Sequence, residues 1–348
     1  MDRDRVKRFG QELLRRYGDA MTVLLVDLGD RTGLLAATAQ GGSSQEIATR
    51  AGLAERPVRE WLHGMVVAGI VEHDGGHFQL PPEHGALLVG ETPYNLAPLA
   101  RAAAMGMGRA QRLEEALRSG AGIPVDELHD GFTDVVDRMS RYRFDALLAE
   151  VYLPAAGDVH ERLCANGGRV ADVGCGSGHA ANLMAQALPE AEVVGFDAYA
   201  PGLDQARTEA EQLGLTNVRF ESADAGAVAT RGPFDLVTAF DVIHDLGDPA
   251  GALAAIRKAL VDDGIFLLYD IGASSDLDEQ VALPWAPLMY GFSLAYCVQG
   301  SLADGGAALG NMWGRDRTAS MLRDAGFQDV DVLDPPLDPI NVLYVCRP

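Results

Sequence analysis

The sequence has no apolar run approaching the roughly 18 residues that a membrane span requires, and no membrane partner is expected. Cysteine is scarce. Cys164, Cys175, Cys297 and Cys346 form no Cys-x-x-Cys pair. Neither a zinc knuckle nor a disulfide framework is expected from that spacing, and no metal is assigned; the four thiols read as small buried apolar groups. Positive charge is in short supply, with 28 Lys and Arg against 50 Asp and Glu. The deficit is concentrated in residues 166–348, where 10 basic face 26 acidic residues. A polyanion is repelled by that block, so nucleic acid is an unexpected partner for it. Internal repeats and low-complexity tracts are absent too. The N-terminal Met1-Asp2-Arg3-Asp4-Arg5 alternates charge where a signal peptide needs an apolar core, and a cytoplasmic location is expected.

What is present is a globular balance, 48% hydrophobic and 22% charged residues, which excludes wholesale disorder. The length of 348 residues suits two or three domains of roughly 100–200 residues each. Three regions are read: 1–90, 91–165 and 166–348.

The first region begins with an amphipathic helix over 4–17, with Val6, Phe9, Leu13 and Leu14 on one face, then a second apolar helix over 20–28. Ser43, followed three residues on by Glu46, is a capping-box signature. It opens a helix over 45–50, a turn at Ala51-Gly52-Leu53 and a second helix over 57–68. Two short alternating strands, 69–72 and 77–80, flank Asp74-Gly75-Gly76 as a hairpin. A helix-turn-helix followed by a hairpin is a winged helix.

Residues 91–165 read as mostly helical. From Arg169 strands alternate with helices. The strands are expected at 169–173, 192–196, 218–222, 234–239, 265–270, 330–333 and 341–346. The helices are expected at 180–187, 202–213, 249–260 and 318–325. This alternation implies an α/β protein with a doubly wound sheet, whose ligands sit at the carboxyl ends of the strands near the first crossover.

The most informative stretch is Asp172-Val173-Gly174-Cys175-Gly176-Ser177-Gly178. An apolar strand runs into a glycine loop that opens a helix, where free N–H groups face a ligand. A dinucleotide fingerprint needs glycine at position 179, which is His179. A phosphate loop needs Gly-Lys, and that pair does not occur. Asp197 ends the next strand, where a carboxylate accepts from ribose hydroxyls. Asp224 follows the third strand and can accept from an adenine amine. Together these describe a nucleoside site without a phosphate clamp.

The order Asp-Val-Gly-Cys-Gly-Ser-Gly, Gly-Phe-Asp, Ala-Asp-Ala and Phe-Asp-Leu-Val over 169–270 resembles the class I S-adenosylmethionine-dependent methyltransferases. The resemblance implies a Rossmann-like methyltransferase sheet and S-adenosyl-L-methionine as cofactor, leaving as S-adenosyl-L-homocysteine. It implies that Gly174, Cys175, Gly176 and Gly178 line the cofactor and that Asp172 supports its methionine end. Asp197 then holds the ribose, Ala198 and Tyr199 flank adenine, and Asp224 and Ala225 read its edge. Phe240 and Asp241 would lie between cofactor and substrate.

Ile243-His244-Asp245, just past the fourth strand, resembles the His-Asp-Trp-Ser-Asp segment of small-molecule O-methyltransferases, with Leu246-Gly247 in place of Trp-Ser. In that family the histidine is the general base and an N-terminal winged helix dimerises and closes the substrate site. The chain also resembles a bacterial group of winged-helix methyltransferase-like proteins, through Tyr142-Arg143-Phe144, Leu153-Pro154-Ala155 and Tyr296-Cys297. The implied catalytic group is His244 with Asp245 and Asp241, either acid being able to orient the ring. Imidazole suits proton transfer near neutral pH. A structural cap or a substrate-positioning role is the alternative for His244. His179 is a candidate to face the cofactor's carboxylate end.

Aromatic residues are only 7% of the chain, yet they cluster after the fifth strand, between 272 and 313. Trp285, Met289, Tyr290, Tyr296 and Trp313, with Tyr142 and Phe144 from the helical region, are read as a substrate pocket under a lid. The expected function is methyl transfer to a small organic molecule, at oxygen first, with nitrogen or carbon possible, by a homodimer. Two alternatives stand beside it: a DNA-binding regulator that senses the cofactor, and a repurposed non-methylating scaffold. The second helix of the helix-turn-helix has few cations, which counts against DNA.

Overall fold

A computed structural model describes residues 1–129, 131–336 and 338–348. The chain forms two compact units, 1–108 and 109–348. The region 91–165 divides between them. The helix Ala97–Gly108 packs on the first helix, and the helices from residue 110 onward belong to the second unit.

In the first unit, the two helices expected over 4–28 are one continuous helix, Arg3–Arg31. Gly18 costs only about 1 kcal/mol inside a helix and lacks the left-handed φ that would end one, so the apolar pattern runs through it. The helix-turn-helix is Ser44–Ala51 and Glu55–Val67. Its capping box is complete: the Ser43 N–H donates to Glu46 Oε2 at 2.8 Å and the Glu46 N–H donates to Ser43 Oγ at 3.3 Å. Gly52 ends the first of these helices with φ +69°. The wing strands are β1 (Glu72–Asp74) and β2 (His77–Gln79). Gly75 and Gly76, with φ +54° and +89°, make a two-residue turn that joins the paired Asp74 and His77. Residues 69–71 stay outside the strand, because the hairpin register is set by that turn. Ile47, Leu62, Met65 and Leu80 fill the core of this unit. Arg56 and Arg59, on the would-be recognition helix, pair with Glu60 and Glu55.

The second unit is a seven-stranded sheet. Its strands are β3 (Gly168–Val173), β4 (Ala191–Asp197), β5 (Val218–Ser222), β6 (Phe234–Phe240), β7 (Leu260–Ile271), β8 (Asp329–Leu333) and β9 (Asn341–Arg347). All seven expected strands form. Their order is β5-β4-β3-β6-β7-β9-β8, parallel up to β7 and antiparallel on both sides of β9. Alternate residues feed opposite faces, as a strand requires. Val170, Leu267, Tyr269 and Leu343 enter one layer, and Ala171, Phe266, Leu268 and Tyr344 the other. The crossover from β5 back to β6 reverses the strand order beside β3. The crevice this reversal creates opens at the carboxyl ends of β3 and β6.

Candidate active site

The glycine loop leaves β3 at that crevice. Gly174, Gly176 and Gly178 have φ of +72°, +54° and +76°, a region costly for residues with a Cβ. Their surroundings differ. A Cβ on Gly174 would lie 2.1 Å from Val242 Cγ2, and one on Gly178 would lie 2.3 Å from the Ala206 Cβ. Gly176 has no atom within 4 Å of such a position. Two glycines therefore admit neighbouring protein, and the middle one borders open space.

Asp197 supports the loop from the end of β4. Its Oδ2 accepts the Gly176 N–H and its Oδ1 accepts the Tyr199 N–H, both at 2.8 Å. Asp172 is buried in β3, where Oδ1 accepts from Thr238 Oγ1 at 2.7 Å. The other oxygen is buried without a hydrogen-bond partner. Burial pushes this carboxyl up to about 7, since the charged form loses its water. Burial also raises the Cys175 thiol, which packs beside Gly195. Asp224 caps the turn Ala225–Thr230, its Oδ1 accepting the Ala227 N–H at 3.0 Å.

A cavity of about 950 Å³ follows these strand ends. Gly174, Asp197, Ala198, Tyr199, Asp224 and Ala225 line it, together with Asp245 to Asp248. Pro124–His129, Phe132 and the stretch from Tyr296 to Asp304 supply further wall. Nothing in the sequence pattern of the helix Val125–His129 distinguishes this part of the cavity wall from a packing helix. His129 stands edge-on to Tyr199 with centroids 4.2 Å apart, and Phe132 stacks on Tyr296 at 3.6 Å.

His244 sits on a single helical turn after β6 and is 4% exposed. Its Nδ1 lies 2.7 Å from Asp270 Oδ1, and its Nε2 lies 3.4 Å from Asp245 Oδ1. Burial opposes the imidazolium, but Asp270 and then Asp245 outweigh it, and the ring's pKa rises well above the usual histidine value. Asp270 closes β7 and is fully buried. The sequence carried a signal for it: an acid ends the apolar strand Ile-Phe-Leu-Leu-Tyr-Asp, as Asp197 ends β4.

Several expectations are corrected. Asp241 does not orient His244. Its carboxylate accepts from Asn341 Nδ2 and pairs with Arg143 at 3.4 Å. Burial pushes Asp241 up to about 7 against the pull of Arg143. Phe240 and Phe144 pack edge to face at 5.0 Å in an aromatic cluster with Tyr152 and Tyr269, away from the cavity lining. His179 does not face the cavity; its two ring nitrogens lie 2.9 Å from Glu209 and from Asp145.

The aromatic pocket is dispersed as well. Tyr296 lines the large cavity, whereas Tyr290 and Trp313 line a separate cavity of about 430 Å³. Trp285 and Met289 pack with Ile271, Ala286 and Met312 in a core of the insertion itself. Tyr142 is half-buried on the helix Phe132–Leu147 and lines neither cavity. Aromatic clustering in sequence reported burial, and only the helix register decided which ring reaches the cavity.

Residues 165–325 match the model of a methyltransferase domain family, and residues 20–90 match that of an Rv2258c-like winged HTH domain. Residues 165–325 thus carry a methyltransferase domain of the class I fold, preceded by a winged-helix domain. The chain is 32% identical over 131 residues to a ubiquinone biosynthesis O-methyltransferase of Cereibacter sphaeroides (strain ATCC 17029 / ATH 2.4.9), covering 37% of this chain and 52% of the relative. The chain thus spans about half the length of the curated relatives it matches. Two solved structures share the fold over nearly the whole chain. An O-methyltransferase family protein from Burkholderia thailandensis has a TM-score of 0.69 at 18% identity, covering 97% of both chains. Human N-acetylserotonin methyltransferase, solved with SAM, has a TM-score of 0.68 at 18% identity, again covering 97% of both.

Proposed function

We propose that the protein transfers a methyl group from S-adenosyl-L-methionine to an oxygen of a small organic molecule. The observation that carries this reading is that one cavity is lined both by Asp197, Tyr199 and Asp224 and by the acid Asp245 beside His244. The residues present fit the cofactor. Gly176 leaves open space beside the loop, and Asp172 holds a buried oxygen in need of a donor. Each Asp197 oxygen keeps a lone pair for a ribose hydroxyl after accepting its backbone N–H.

The cofactor supplies an electrophilic methyl, and the residues of this chain do the rest. Asp197, Ala198, Tyr199, Asp224 and Ala225 bind the nucleoside, and Asp172 attracts the amino end. His244, held by Asp270, takes the hydroxyl proton from its Nε2 side. Correct placement of the nucleophile can supply roughly 7–11 kcal/mol of the barrier, and a general base about 10²–10⁴-fold. The ion-paired Arg56 and Arg59 leave the winged helix poorly suited to phosphate contacts.

A homodimer is part of this proposal. The helix Arg3–Arg31 leaves Phe9, Leu14, Tyr17 and Met21 exposed along its length, and sedimentation velocity would show a mass of twice 37.0 kDa. No helix among the described residues is long and apolar enough to cross a membrane. The free cysteines suit a reducing compartment such as the cytoplasm.

Calorimetric titration with S-adenosylmethionine and S-adenosylhomocysteine tests the reading. The parent chain binds both, and Asp197→Ala loses binding. A folded parent chain that binds neither would end the proposal.

A further inference from the structure

We propose that the smaller cavity, of about 430 Å³, is a second binding site that takes a small organic carboxylate with an apolar body. Its anchor is the Arg317 guanidinium. This inference goes beyond the methyl-transfer reading and does not depend on it.

The two cavities share no lining residue, yet one helical segment of the insertion walls both. Tyr296, Cys297 and Gly300 line the large cavity, whereas Ser293, Leu294 and Val298 line the small one. The π-helical turn Ser293–Cys297 sends the Val298 N–H back to the Ser293 carbonyl, which stacks these two residues on one face. Leu277, Leu309 and Met312 add apolar wall. The volume of about 430 Å³ falls within the roughly 300–1,000 Å³ of small-molecule pockets.

The polar groups of this wall are donors that lack acceptors. Ser293 is 6% exposed and Trp313 is 4% exposed. Among the described residues the Ser293 hydroxyl has no hydrogen-bond partner, and the Trp313 Nε1–H is buried without an acceptor. A buried indole N–H ordinarily finds one. Arg317 stands exposed at the cavity, and its backbone N–H donates to Ser275 Oγ at 3.1 Å. Its guanidinium makes no ion pair among the described residues. The acceptor Gln280 Oε1 is already taken by the Tyr290 hydroxyl. Charge separates the two cavities in the same sense. Six aspartates and neither lysine nor arginine line the large one, whereas Arg317 and no carboxylate line the small one. A cation short of a partner, in a chain with 28 basic and 50 acidic residues, marks the small cavity for an anion.

A ligand that meets these groups has acceptor oxygens at one end and hydrocarbon at the other. A carboxylate matches the arginine fork with two parallel N–H···O bonds. Its oxygens also offer what the Ser293 and Trp313 donors lack. The hydrocarbon body displaces water from Leu294, Val298 and Met312. A bare anion leaves that wall wet, and a neutral amide forgoes the charge of Arg317. Binding is non-covalent, and no proton or electron changes place.

The test is calorimetric titration of the full chain with 3-phenylpropanoate, beside its neutral amide 3-phenylpropanamide and beside acetate. The 3-phenylpropanoate should bind once per chain, and the other two should bind more weakly by about tenfold or more. Arg317→Gln, at an exposed side chain, should weaken 3-phenylpropanoate by about tenfold or more. Arg317→Lys should recover part of that loss, since it keeps the charge and loses the fork. Ser293→Ala should weaken binding by about two- to tenfold. A folded parent chain that binds no 3-phenylpropanoate overturns the proposal, and so does an amide that binds as tightly as the acid. Affinity unmoved by Arg317→Gln but raised by Asp304→Asn also overturns it, because Asp304 lines the large cavity and the acid would then sit there. The titration uses neither methyl donor nor acceptor, so its failure leaves the methyl-transfer reading standing.

Discussion

His244 Nδ1 and Asp270 Oδ1 lie 2.7 Å apart, with both side chains almost wholly removed from solvent. The pair joins a turn after β6 to the end of β7, and it sets the protonation of the ring. Because Asp270 and Asp245 raise the histidine's pKa, the neutral ring becomes abundant only as pH climbs past its usual value. Methyl transfer should therefore rise with pH along an acid limb displaced upward. Asp270→Asn removes the largest attraction, so the limb should move to lower pH by about one unit or more, while kcat falls. A pH profile of kcat/KM for the two proteins reads both effects. An unmoved limb would mean that another group governs it.

Asp172 gives a prediction of opposite sense for the stability of the ligand-free chain. Its folded pKa of about 7 lies above the ordinary value of 3.8. The folded chain then binds more protons than the unfolded chain between these values, and stability falls as pH rises through that window. Asp172→Asn removes the ionisation. Its Tm relative to the parent should improve from pH 4 to about pH 7 and level off above it, even as S-adenosylmethionine binding is lost. Calorimetric melting at several pH values is the check; a constant Tm difference would contradict the burial argument.

The glycine loop separates folding from binding. Gly174→Ala meets Val242 at 2.1 Å and also suffers an unfavourable φ, so it should destabilise the fold by more than the roughly 1–3 kcal/mol of backbone strain alone. Gly176→Ala meets nothing within 4 Å. It should cost only about 1–2 kcal/mol yet weaken S-adenosylhomocysteine binding, because its methyl group enters ligand space. Denaturant midpoints and calorimetric affinities should rank the two variants in opposite order.

In the first unit, Ser43→Ala removes the Oγ that accepts the Glu46 N–H and leaves the backbone N–H at position 43 bonded to Glu46. A loss of about 0.5–2 kcal/mol is expected, seen as an earlier melting transition for the winged helix. Cofactor affinity, which belongs to the other unit, should stay at the parent's value.

Much of this architecture is local and therefore legible. Period-two apolar strands, Gly174 to Gly178 and the Ser43–Glu46 cap each rest on residues close in sequence, whose preferences need no distant partner. The same holds for Asp197 and Asp224, which follow directly from the ends of β4 and β5. The helix Arg3–Arg31 runs through both apolar segments because Gly18 inside it is only a modest cost.

What the sequence by itself determined is the order of elements, the sheet class and the place of Asp197 and Asp224 at the strand ends that border the cavity. Those depend on periodicity and on loops that succeed their own strands. Tertiary structure alone decided that Asp270 rather than Asp241 holds His244, and that Cys297 comes within reach of both His244 and Asp245. It also decided that Tyr296 reaches the cavity while Trp285 and Met289 fill a core of their own. These pairings close across tens of residues, and which side chains meet is set by strand order and helix register. Both arise only when apolar faces are buried against one another, and no short-range preference encodes them.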